Sequence, residues 1–183
     1  AEYGNRMLPS TAGRTTMCPT ELLYDENKAP CIDLLPIETR ASNASLSEFK
    51  RFPDEWNTVA LDIESADSMQ AALRSVSEVI RVSPEVAEQY GFAASDGESA
   101  VIHTGEDGLI EIPRWRHAII NFPHALLRQG LVILDTPGLN AIGTEPELTL
   151  SLLPNAHAVL FILAADTGVT QSDLAIWNDH IDS

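Results

Sequence analysis

Gly130-Leu131-Val132-Ile133-Leu134-Asp135-Thr136-Pro137-Gly138 decides how this chain is read. An unbroken apolar run leads straight into an aspartate, and a glycine follows three positions later. A short, continuously apolar run is the pattern of a strand buried on both faces of a helix-covered sheet. In open α/β sheets, ligands sit beyond the carboxyl ends of the strands. An aspartate at such an end can hold Mg²⁺, usually through water, because that ion prefers hard oxygen ligands. The glycine lets the backbone come close enough for its N–H to donate to a terminal phosphate oxygen. Alone, D-x-x-G also builds an ordinary turn. The strand before it and the capped helix after it favour phosphate and metal.

The flanking sequence extends the pattern. Thr144-x-x-Glu147 opens a helix through Leu153, Ala158–Ala164 (AVLFILA) is a second apolar strand, and Thr170-x-x-Asp173 caps a helix running to the end. Asp166-Thr167-Gly168 either lines the ligand cleft or turns the chain. Upstream, Arg116–Phe122 is expected to be a strand ended by Pro123. Strand, helix, strand, helix with apolar strands argues a parallel α/β sheet. Residues 7–20 are rich in Pro, Gly, Ser and Thr and read as an extended loop. Glu21–Leu23 and Ala29–Leu35 are expected to form two parts of an edge strand and its turn.

With 183 residues, the chain is long enough for one domain with a true core. Its 11 basic against 27 acidic residues leave a net charge of −16. A surface this negative repels phosphate backbones, which excludes non-specific nucleic-acid binding. No run approaches the roughly 20 apolar residues of a membrane-spanning helix. Cys18 and Cys31 lack metal-ligand spacing and read as reduced thiols, which fits a cytoplasmic chain. His103, His117, His124, His157 and His180 form no ligand pair, and Trp56, Trp115 and Trp177 read as core or half-core anchors.

The acidity is concentrated. Residues 48–111 hold 14 acids and 4 bases, a net of −10, and the segment from about 45 to 111 is expected to be an acidic helical insertion. Ser45-x-x-Glu48 is a capping box. Asp67-x-x-Gln70 opens a second helix, along which Met69, Leu73, Val76 and Ile80 form one apolar stripe. Ser83-Pro84 starts a third, with Gly91 as its stop.

At this point a resemblance emerges. Asp135-Thr136-Pro137-Gly138-Leu139 after an apolar strand resembles the switch II motif of P-loop GTPases. Leu8-Pro9, followed by Thr16-Met17-Cys18-Pro19, resembles switch I of the dynamin-like branch. Residues 120–139 and 158–174 resemble that branch's route into switch II and its next strand and helix. The resemblance implies one partial GTPase domain over 1–183, with switch I in 7–20 and switch II with its following strand and helix in 131–182. The fold class it implies is α/β: an incomplete P-loop GTPase-type sheet with flanking helices and the acidic insertion.

Carried over by position, Thr16 would put its hydroxyl on Mg²⁺ and its backbone N–H near the γ-phosphate of GTP. Asp135 would hold the same ion through water, and Gly138 would contact the γ-phosphate. Thr15 takes the place of Thr16 if the register is one residue off. Arg14 would neutralise charge developing on the transferred phosphoryl group, or is a solvated loop arginine.

Two motifs of such enzymes are missing from the 183 residues. There is no G-x-x-x-x-G-K-[ST] phosphate cradle, and neither lysine, Lys28 or Lys50, follows a glycine. There is no guanine-reading N/T-K-x-D motif either. In the family both lie beyond the ends of this stretch, and the chain begins with Ala1, so the expectation is truncation. The cradle strand would separate the two apolar strands, so without it their backbone groups are expected to lack partners, leaving the fragment marginal or those strands paired directly or with another chain.

The implied function is a dynamin-like GTPase, cytoplasmic and possessing at most peripheral membrane contact through segments outside this chain, whose hydrolysis drives self-association or remodelling. The competing reading is a non-enzymatic interaction module that presents the acidic insertion to a partner. A compact GTPase of another branch fits poorly, because Thr16 and Asp135 lie far apart in sequence.

Overall fold

A computed structural model describes residues 18–42, 44–92 and 107–135, with positions 157, 158, 169 and 174. The chain divides into two units, Ala1–Gly143 and Thr144–Ser183, and every element below belongs to the first. Arg14, Thr15, Thr16, Gly138, His103, His180, Trp177, Asp166-Thr167-Gly168, the helices from Thr144 and Thr170 and nearly all of the Ala158–Ala164 strand lie outside the described residues.

In chain order the elements are β1 (Thr20–Leu23), β2 (Cys31–Pro36), α1 (Leu46–Phe49), β3 (Asn57–Ala60), α2 (Ala66–Ser75), β4 (Val79–Val82), α3 (Pro84–Gln89), β5 (Ile110–Pro113), β6 (Trp115–Asn121) and β7 (Ile133–Asp135). Short 3-10 turns at Ile37–Ala41, Pro53–Glu55 and Leu127–Gln129 join them. The fold is α/β, as expected, and its main sheet is mixed. Five strands run in the order β3-β2-β6-β1-β7, with β1 and β6 parallel and every other pairing antiparallel.

Several expectations change, first that of a parallel sheet: among the described strands of the main sheet, β1 with β6 is the one parallel pair. β1 and β2 are not parts of one edge strand, because β6 lies between them and bonds to both. The 130–134 run is not buried on both faces: Leu131, Val132 and Ile133 are exposed, and β7 is an edge of the described sheet, bonded to β1 alone. The acidic segment is also not purely helical, since β3 joins the main sheet and β4 pairs with β5 in a second, two-stranded sheet.

Because side chains alternate across a strand, each strand of the main sheet serves two different environments. On one face Ile32 and Leu34 of β2 stand opposite Ile120 and Ala118 of β6. There they pack with Leu61, Ala72, Leu73, Val76 and Trp115, so α2 covers this side. Trp115 donates its indole N–H to the carbonyl of Ser75 at 2.7 Å, which satisfies its one polar atom in the core. The register shifts between Leu35 and Pro36, where the proline has no N–H to give the ladder.

The opposite face carries Glu21, Asp33, His117 and Asn121, all buried and polar. Asn121 is satisfied by the turn beside it. Its amide N–H groups donate to the carbonyls of Asp25, Lys28 and Ala29, and its carbonyl accepts from the N–H of Asp25 at 2.8 Å. One side chain thereby closes the connection from β1 to β2.

The helix starts follow local chemistry. Ser45 and Glu48 form the expected reciprocal capping box of α1. Ser83 caps α3, with Pro84 at its first position, and Gly91 follows at φ +80°. α2 is capped by Ser65, two residues before the expected Asp67. Leu73 and Val76 are buried under the main sheet and Met69 packs beside them, but Ile80 leaves the stripe and lies on β4. There it joins a second core of Ile37, Ala87, Phe92, Ile110 and Ile112.

Candidate functional site

The geometry of interest starts from one register. In the antiparallel pair of β1 and β7, Thr20, the first residue of β1, stands opposite Asp135, the last residue of β7. The chain entering β1 through Cys18 and Pro19 and the chain leaving β7 after Asp135 are therefore at the same end of the sheet. Two segments 115 positions apart, counted from Thr20 to Asp135, share one corner.

The entry to β1 is firmly held. The carbonyl of Pro19 accepts the N–H of Ala118 at 3.0 Å, and the Thr20 hydroxyl donates to the carbonyl of Cys18 at 3.0 Å. Cys18 is buried, and burial pushes its thiol up to about 12. It is a packing residue with no thiolate at neutral pH.

Asp135 is an exposed residue whose carboxyl is nevertheless raised above the ordinary range by desolvation. Among the described residues no side chain donates to it. A carboxylate that is partly desolvated and lacks a cationic partner fits a divalent cation, which would supply the missing charge. Of the residues expected to line a phosphate and Mg²⁺ site, Asp135 is the one described; Thr16, Thr15, Arg14 and Gly138 are not. The approach to Asp135 depends on Gly130, which ends the preceding 3-10 turn at φ +89°, where a side chain would be strained.

A second polar cluster lies on the buried face beside this corner, and the sequence reading missed it. The carboxylate of Glu21 accepts from Nζ of Lys50 at 2.6 Å and pairs with Nε2 of His117 at 3.0 Å. The His117 side chain is 0% exposed and that of Glu21 8%. Burial alone would raise the Glu21 carboxyl, but hydrogen bonds from His117 and Lys50, and their charges, outweigh it and hold it at about 2. The ring of Trp56 meets that of His117 edge-on, with centroids 6.3 Å apart. Nearby on the same face, Lys28 pairs with Asp33, which also accepts from the hydroxyl of Thr58 at 2.7 Å. The chain has two lysines, and each neutralises a carboxylate of this sheet face. That scarcity was the available signal.

This arrangement sets a pH dependence. A carboxyl held at about 2 when folded, against 4.5 ordinarily, contributes stability that is present above pH 4.5 and lost as pH falls toward 2. At roughly 1.4 kcal/mol per unit, the contribution is about 3 kcal/mol. Urea unfolding between pH 5 and 2.5 should therefore show a steep loss in the natural chain and a shallower one in Glu21→Gln. Equal slopes would show that Glu21 carries none of it.

The family model described as the dynamin family matches residues 3–183. A bacterial dynamin-like protein of Nostoc punctiforme is 34% identical over 65 residues, which cover 36% of this chain and 9% of that protein. The isoniazid-induced protein IniA of Mycobacterium tuberculosis is 34% identical over 96 residues, covering 46% of this chain and 14% of that protein, in strain CDC 1551 and in strain H37Rv alike. The chain thus spans 9% to 14% of the curated relatives it matches.

Proposed function

We propose a function from one premise: the chain belongs to the dynamin family. On this reading it forms part of the catalytic end of a GTPase domain that binds Mg²⁺-GTP and hydrolyses the γ-phosphate. The observation that carries the proposal is the register of Thr20 against Asp135, which brings the root of the 7–20 loop beside the end of the strand leading into Asp135-Thr136-Pro137-Gly138.

The reaction is attack of a positioned water on the γ-phosphate, and the protein's task is orientation and charge stabilisation. Thr16, or Thr15 if the register is shifted by one, and Asp135 would hold Mg²⁺, which supplies positive charge to the phosphate oxygens. The backbone N–H groups of Thr16 and Gly138 would donate to the γ-phosphate. Arg14 would face charge that develops on the transferred group. The 183 residues contain no phosphate cradle, so turnover also requires backbone N–H groups and a lysine contributed from outside them.

Ordering of both loops by the γ-phosphate would then gate self-association. Membrane contact, if the protein makes it, falls to other segments: among the described residues no helix is long and apolar enough to cross a membrane. A net charge of −16 disfavours nucleic-acid binding, and the free thiols of Cys18 and Cys31 fit a cytoplasmic location. The test is Mg²⁺-dependent GTP turnover by the protein at its natural length. The absence of both turnover and nucleotide binding would overturn the reading in favour of an interaction module presenting the acidic 45–111 segment.

A further inference from the structure

The Glu21, His117 and Lys50 cluster has no part in the chemistry just described, yet it sits one residue from the corner that does. Its members come from three elements: Glu21 from β1, His117 from the central β6, and Lys50 from the cap that ends α1. Buried ion pairs are weak evidence for stability, because desolvation offsets most of their attraction. What such a pair fixes is geometry, since removing one partner strands the other in a dry site. Here the fixed quantity is the position of β1 along its own axis. A two-residue slip of β1 would keep its faces but move its start by about 6.6 Å. It would also tear Glu21 from both His117 and Lys50. On the other face Cys18 is buried in the α2-covered core, so the strand's entry is held from both sides.

We propose that Glu21, clamped by His117 and Lys50, is a positioning residue that sets where the 7–20 loop leaves the sheet relative to Asp135. On the GTPase reading its catalytic effect would fall on Thr16, four positions before Thr20 in the sequence. The inference rests on the GTPase reading for its catalytic consequence but not for its structural one. Loss of the clamp loosens the root of the loop whether or not GTP is the ligand.

The experiment uses the protein at its natural length. Amide hydrogen exchange of residues 16–23 and of α2 is measured without nucleotide in the natural chain, Glu21→Gln, Lys50→Met and Lys50→Arg. GTP kcat and KM follow at a temperature where circular dichroism shows every variant folded. The expected result is exchange at least tenfold faster over 16–23 in Glu21→Gln and Lys50→Met, with α2 unchanged. kcat falls at least tenfold in both, KM moves less than threefold, and Lys50→Arg retains natural behaviour. Unchanged exchange over 16–23 in both variants, or equal acceleration in α2, would overturn the clamp. Faster exchange at 16–23 in a protein that hydrolyses no GTP would sustain the clamp and overturn the GTPase reading instead. Should Glu21→Gln fail to fold, Lys50→Met decides by the same readouts.

Discussion

Asp135→Ala is expected to lower Mg²⁺-dependent GTP turnover by at least tenfold, and Thr16→Ala to do the same. Each loss corresponds to at least about 1.4 kcal/mol of transition-state stabilisation. On the proposed reading the two residues would hold one ion, so the double variant is expected to lose less than the product of the single losses. Stability separates this effect from misfolding. Asp135 is exposed at the end of a three-residue edge strand, and its carboxyl is raised by desolvation with no cationic partner among the described residues. Removing it therefore leaves the thermal midpoint within a few degrees of the natural one. Asp135→Asn keeps the shape and loses the charge, and turnover should fall with it as well. Natural turnover in both alanine variants would remove Thr16 and Asp135 from the site.

Ile32→Ala destabilises the fold by about 2–5 kcal/mol, the range for a fully buried isoleucine that leaves a cavity. Ile32 is 0% exposed, is the second residue of β2, and lies opposite Val59 on one side and Ile120 on the other. Leu73 and Val76 close over it from α2. None of these neighbours can move inward without breaking a ladder or lifting a helix, so the cavity stays open. For a domain of ordinary stability, 5–15 kcal/mol, that is a large share of the total. The midpoint of urea unfolding measures it, and a change below about 1 kcal/mol would show that the α2-covered face of the sheet is not packed as described.

Local chemistry was the legible part of the fold. Ser45 with Glu48, and Ser83 with Pro84, hold their own helix starts with atoms three residues away, so no tertiary information is needed. The α2 cap was misplaced because Ser65 and Asp67 both suit the role, and what decided it was the Ser65 hydroxyl reaching the N–H of Ser68. Strand order was not legible. β6 enters between β1 and β2, beginning at Trp115 where β2 ended at Pro36, and an apolar pattern names no partner. Ile80 fitted a helical stripe by spacing, yet the turn after Val76 sent it to a strand in a second core.

The candidate site divides in the same way. Asp135 was readable as a strand end because the apolar run leads straight into it, while Gly138 lies outside the described residues. The register that sets Thr20 against Asp135 was not, since it arises only when β7 folds back along β1. Glu21 and His117 occupy alternate positions that would ordinarily face water. Their burial depends on Lys50 arriving from another element, which no local pattern encodes.

The central claim is that the segments adjoining Thr20 and Asp135, which meet in register, serve one ligand. Hydrogen exchange of the natural-length protein, with and without Mg²⁺ and a non-hydrolysable GTP analogue, tests it most directly. The account predicts that residues 16–20 and 135–139 gain protection together, at the same nucleotide concentration, and that omitting Mg²⁺ weakens both. Protection of one segment without the other, or of neither at saturating nucleotide, would contradict it.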